Sequence, residues 1–172
     1  MRIFLIGYMG CGKSRMGKKL SAHLDRPFID LDELIQAKQN ATIPEIFAAR
    51  GESGFREIER DTLQKSAIAD DAIVSTGGGA PCFFDNMEWM NKNGLTIFID
   101  PPEKVLADRL IKAKTERPLI KGKSHEELLA FIHEKLQERR PFYEQAAIQL
   151  KGVDLTIEEL LSVLATKGIV TQ

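Results

Sequence analysis

Cysteine is scarce, with only Cys11 and Cys82 in 172 residues. Their separation offers neither a metal-ligand spacing nor a disulfide framework. A crosslink at Cys11 would obstruct the glycine loop around it, so reduced thiols in a cytoplasmic setting are expected. An excess of charge is lacking too, because 24 Lys and Arg face 25 Asp and Glu. Such a balance gives no nucleic-acid footprint and no pull toward an anionic membrane. No apolar run approaches the length of a membrane span. The apolar stretch at residues 2–6 is too short for a secretion signal and suits a first strand better. Repeats, low-complexity tracts and an interdomain linker are also missing. The chain, 43% hydrophobic and 28% charged, is therefore expected to form one domain over residues 1–172 and to act as a monomer.

Glycine is placed with more purpose. Gly7-Tyr8-Met9-Gly10-Cys11-Gly12-Lys13-Ser14 fits the pattern G-x-x-x-x-G-K-[ST]. It follows an apolar run, residues 2–6, and precedes a segment with Met16, Leu20 and Leu24 at helical spacing. Strand, glycine loop and helix together turn backbone N–H groups and a helix N-terminus toward a polyphosphate. A chance glycine turn explains the letters alone, but not their flanks. Lys13 can reach the β- and γ-phosphates of ATP, and the Ser14 hydroxyl can ligate Mg²⁺. Gly10, Cys11, Gly12 and Arg15 complete the expected nucleotide contacts.

Five apolar runs read as strands: 2–6, 27–30, 72–75, 95–99 and 146–150. Helical periodicity occupies 13–24, 32–39, 43–69 with a break near Gly51, 84–92, 103–112, 125–140 and 156–166. This alternation predicts an α/β fold with a parallel sheet covered on both faces and ligands at the strands' carboxyl ends. Two stretches depart from it. The charged helical insertion that begins at residue 32 suggests a second substrate site, over about 32–60. Residues 113–124, with Lys, Arg, Pro and Gly and no sustained period, suggest a basic lid.

Three further features fall at strand ends or in the insertion. Asp30 and Asp32 put two carboxylates on one side of an extended segment. One can serve Mg²⁺ through water and the other can take a proton from a hydroxyl; equally, Asp32 can cap the helix that follows. Arg56 can bind an anionic ligand or merely pair with Glu52 or Glu59. Thr76-Gly77-Gly78-Gly79 strips side chains from the end of the third strand, either for a ligand or as a plain loop.

Taken in order, these motifs resemble the shikimate kinase family over essentially the whole chain. The matching elements are the glycine loop, Phe28-x-Asp30-x-Asp32, Gly51-Glu52-x-x-Phe55-Arg56-x-x-Glu59, Thr76-Gly77-Gly78-Gly79, Arg117-Pro118-Leu119 and Arg139-x-Pro141-x-Tyr143. The resemblance implies a three-layer P-loop kinase sandwich whose five-stranded parallel sheet runs in the order 2-3-1-4-5. It also implies transfer of the γ-phosphate of ATP to the 3-hydroxyl of shikimate. Asp32 would then be the base, Asp30 a neighbour of Mg²⁺, and Arg56 and Arg139 the grip on the substrate carboxylate. Gly78 and Gly79 would contact the substrate through backbone. Arg117 would close from the lid onto the phosphates, joining Lys13 and Asp32 as catalytic groups, and Arg109 would neighbour the adenine. Arg140 stands beside Arg139; Arg139 is chosen because it lies two residues before Pro141. A kinase of another hydroxy acid such as gluconate is the rival enzyme, and a nucleotide-binding regulator without turnover is the rival of another class.

Overall fold

The apolar runs become strands because each is long enough to cross a buried sheet and is closed by glycine, proline or aspartate. The computed structural model describes residues 1–113 and 120–170. Among these, five strands form one parallel sheet in the order β2-β3-β1-β4-β5: β1 Arg2–Ile6, β2 Phe28–Asp30, β3 Ile73–Ser75, β4 Gly94–Asp100 and β5 Ile148–Lys151. Ile3, Phe4, Leu5 and Ile6 are all fully buried, as a central strand covered on both faces requires. Each such side chain contributes about 1.5–3 kcal/mol of burial.

Helices α1 Lys13–Leu24, α2 Leu31–Gln39, α3 Ile43–Lys65, α4 Asn86–Asn93, α5 Glu103–Lys112, α6 His125–Tyr143 and α7 Ile157–Thr166 cover the sheet. Three begin with capping boxes, Thr42/Glu45, Ser124/Glu127 and Thr156/Glu159, in which each side chain takes the other's backbone N–H. Gly51, at φ 67°, breaks α3 where a kink was expected.

The chain leaves β1 toward β2 and β3 on one side and returns to β4 and β5 on the other. Beside β1 the crossovers therefore diverge, and the carboxyl ends open a crevice. Register brings three of these ends together: Leu5 lies opposite Ser75, and Ser75 opposite Asp30.

The elements differ from the periodicity at three places. Helix α3 stops at Lys65 because Ser66 is extended (φ −76°, ψ 149°). Helix α4 begins at Asn86 because Ala80–Cys82 form a 3₁₀ turn and Phe84 has φ 51°, which no helix accommodates. Helix α6 runs through Pro141 to Tyr143, although the proline there forgoes one i→i−4 hydrogen bond.

Candidate active site

Gly12, at φ 101°, lets the loop after β1 turn into α1, whose first residues are Lys13 and Ser14. Lys13 is 9% exposed, and its ammonium donates to the carbonyls of Gly7 (2.8 Å) and Tyr8 (3.0 Å). Its charge is thus held over the loop by backbone. Ser14 Oγ donates to Asp30 Oδ2 at 2.7 Å and lies 3.2 Å from Ser75 Oγ. This cluster of hard oxygens suits Mg²⁺, which takes oxygen donors and keeps several waters. Among the described residues no three His, Cys, Asp or Glu converge on a metal position. Such a convergence is not needed where phosphates carry the ion.

Asp30, rather than Asp32, caps α2: its Oδ1 accepts from the backbone N–H of Asp32 (3.1 Å) and Glu33 (3.4 Å). Asp32 stands in the first turn, and its carboxylate faces the triple glycine. A Cβ on Gly77 would lie 3.0 Å from Asp32 Oδ1 and 2.9 Å from Glu59 Oε1. On Gly78 it would meet Arg139 Nη1 at 3.3 Å, and on Gly79 both Nη atoms of Arg56 at 2.6 Å. Each glycine therefore makes room for a charged side chain, a purpose beyond exposing backbone to a ligand.

Arg56 donates to Glu59 Oε2 at 2.8 Å, and among the described residues its buried Nε finds no hydrogen-bond partner. Glu59 is 1% exposed, and burial pushes its carboxyl up against the opposing pull of Arg56. Arg139 faces the ring of Tyr8 at 5.4 Å, whereas Arg140 turns away and forms a forked pair with Asp100 (3.0 and 3.1 Å). Of the two neighbours, Arg139 is the one that lines the cavity holding Arg56. Tyr143 donates its hydroxyl to the Gly78 carbonyl at 2.5 Å, bolting α6 to the glycine segment.

Three cavities line up across the carboxyl ends. The first, about 360 Å³, lies between the glycine loop and residues 154–158 and includes Arg109. Arg109 bridges the two walls by donating to the carbonyls of Cys11 (3.3 Å) and Val153 (3.2 Å). The second, about 280 Å³, contains Lys13, Ser14, Asp30 and Asp32, and shares Gly10, Gly12 and Arg15 with the first. The third, about 370 Å³, holds Arg56 and Arg139 among Tyr8, Phe47 and Phe83, and meets the second at Met9. Burial pushes the Cys82 thiol, on the wall of the third, up to about 11, so it stays protonated and is no nucleophile. Arg117 and half of the expected lid, residues 114–119, lie outside the described residues.

Residue-by-residue reading, which expected residues 151–154 to line the adenine pocket, missed Ser75, Phe47, Phe83 and the 155–158 part of the wall. Ser75 had a usable signal, a hydroxyl ending an otherwise apolar strand. The aromatic pair had none, since each sits in an irregular or kinked stretch far from the other.

A phosphate cradle at the switch of a parallel sheet, with a separate cationic chamber one cavity away, defines a P-loop kinase of small molecules. The model of the family described as shikimate kinase matches residues 9–167. A shikimate kinase of Parabacteroides distasonis is 51% identical over 157 residues, 91% of this chain and 91% of that protein. The crystal structure of shikimate kinase from Bacteroides thetaiotaomicron superposes with a TM-score of 0.91 at 44% identity, covering 96% of this chain and 98% of that one. The Acinetobacter baumannii shikimate kinase in complex with shikimate gives 0.84 at 30% identity, covering 98% and 95%. The chain belongs to the shikimate kinase family.

Proposed function

We propose that the chain transfers the γ-phosphoryl group of ATP to the 3-hydroxyl of shikimate, a step of aromatic amino-acid biosynthesis. The observation that carries this reading is the row of three cavities, with Asp32 in the middle one and two arginines at the far end. The nucleoside fits the first, with Arg109 beside the adenine. The glycine-loop amides from Gly10 to Arg15 and the Lys13 ammonium orient the phosphates. Arg56 and Arg139 take the carboxylate of the acceptor, and a planar guanidinium does so through two parallel bonds. That grip, with the Gly78 and Gly79 backbone, turns the hydroxyl toward Asp32.

Asp32 accepts the hydroxyl proton as the acceptor oxygen bonds to phosphorus, while the bond from phosphorus to the ADP oxygen breaks. Lys13 offsets the charge gathering on the leaving oxygen. Ser14 would hold Mg²⁺ directly and Asp30 through water, where the ion neutralises phosphate charge. Arg117 is assigned to closing over the phosphates by the family resemblance. Among the described residues no helix is long and apolar enough to cross a membrane. A cytoplasmic monomer over residues 1–172, acting on small molecules without nucleic acid, suits this reading.

The test is a coupled assay of ADP release with shikimate, gluconate and quinate as competing acceptors. Shikimate is expected to dominate, and equal turnover of gluconate would refute the acceptor assignment.

A further inference from the structure

We propose that Phe83 is a positioning residue for substrate recognition: its ring holds the Arg56 guanidinium flat in the acceptor cavity. The proposal rests on the reading of Arg56 as a carboxylate-binding group. The Phe83 ring centroid lies 4.2 Å from Arg56 Cζ, and Phe55 adds a second ring at 5.2 Å. Gly79 closes against both Nη atoms, and Glu59 fixes Nη1. Rings, glycine floor and carboxylate leave the guanidinium little freedom to turn. Phe83 itself is half-buried and on the cavity wall, so it is not a core residue that happens to touch an arginine.

The turn that presents Phe83 is clamped to α3 at three points, Arg56, Arg60 and Gln64, over about two helical turns. Arg60, four residues after Arg56, stacks on Phe84 at 4.6 Å, so two arginine–phenylalanine pairs run in register. Phe84 is 53% exposed and adopts φ 51°, a conformation that aromatic residues seldom take. Gln64, one turn further on, donates to Asp85 and Asn86, each at 2.9 Å. Asn86 in turn donates to the Ala80 carbonyl at 3.0 Å, tying the far side of the turn. This scaffold spends an unfavourable backbone angle on keeping the 83–84 pair where α3 can meet it.

Without the Phe83 ring, Arg56 regains rotamers and can lean toward Glu52, whose carboxylate lies 3.5 Å from Nη2 and is largely exposed. Acceptor binding then carries the ordering cost that the stack had removed beforehand. Positions at the 3-hydroxyl and the nucleotide are untouched, so the loss appears in one Michaelis constant.

The experiment measures steady-state kinetics of Phe83→Leu, with Phe83→Met as a second variant of different shape that also has no ring face. Both are expected to raise KM for shikimate about tenfold, with kcat and KM for ATP within about twofold. Phe83→Tyr should restore the wild-type value. In an Arg56→Lys background the further change to Leu should add less than about twofold, as coupled sites do. An unchanged shikimate KM overturns the proposal. So does a full, independent effect in the Arg56→Lys background, which would make Phe83 a direct contact, or a parallel fall of kcat that Tyr does not rescue. Should Arg56→Lys alone leave shikimate KM unaltered, the carboxylate assignment of Arg56 fails first and takes this inference with it.

Discussion

On the reading proposed above, a ligand at one end of the row of cavities meets the loop backbone, and at the other it meets the tips of long side chains. Much of the glycine loop is held by hydrogen bonds within its own residues, such as Cys11 N–H to the Tyr8 carbonyl, and even the Lys13 charge is fixed by loop carbonyls. The acceptor chamber draws Arg56 from α3, Arg139 from α6 and its floor from the segment after β3, elements brought together only by the tertiary fold. The phosphate loop itself is built locally, while Arg109 and residues 154–158 close its nucleoside side from elsewhere in the chain. The second end is assembled from separate side chains, and on the reading proposed above it is where the acceptor is selected.

The comparison is tested hardest at the boundary between the two ends. Asp32→Asn should lower turnover about 10³-fold while leaving nucleotide affinity nearly intact, read by stopped-time assay and by ATP titration. Retained turnover would remove Asp32 as base. Within the acceptor chamber, Arg139→Ala should raise KM for shikimate about 50-fold, the value of a charged hydrogen-bonded contact. Arg140→Ala should leave that constant within about twofold and instead lower stability by about 1–2 kcal/mol, a figure reduced because Arg140 is partly exposed. Reversed results would exchange the two roles.

Gly79→Ala should raise shikimate KM about tenfold without altering KM for ATP, because the new methyl displaces the Arg56 guanidinium. An equal effect on both substrates would show that the two ends are not separable. The smallest effect concerns Glu59. Burial lifts its carboxyl above the ordinary 4.5, so in the window above that pH the folded chain binds more protons than the unfolded one. Its contribution to stability is therefore complete below 4.5 and lost as pH rises through the folded value. In urea denaturation from about pH 4 to about pH 7, wild-type stability relative to Glu59→Gln should decline. A difference that grows with pH would mean that Arg56 outweighs burial.

What could be read beforehand follows the same division. Glycine loop, strand ends and helix periods are short-range patterns, and the sheet order implied by the family likeness is the one observed. The pair Asp30 and Asp32 was visible, but which of them caps α2 depends on where the helix starts, a matter of one residue. The triple glycine marked a site, yet its full reason lies in charges from α2, α3 and α6. Phe83 escaped because its importance comes from a turn with an unusual backbone angle and from an arginine 27 positions earlier. Nothing in the letters Cys82-Phe83-Phe84-Asp85 announces that geometry.

Adjacent arginines on α6 serve opposite ends: Arg139 enters the chamber, and Arg140 grips the last residue of β4. Successive helical residues are about 100° apart, so a one-residue slip of α6 would trade a cavity-lining cation for an anchoring one. The Asp100 fork and the Tyr143 bolt thus act as a pair of keys that admit a single rotation of the rod. Deleting one residue upstream in α6 would disable the enzyme without removing either arginine.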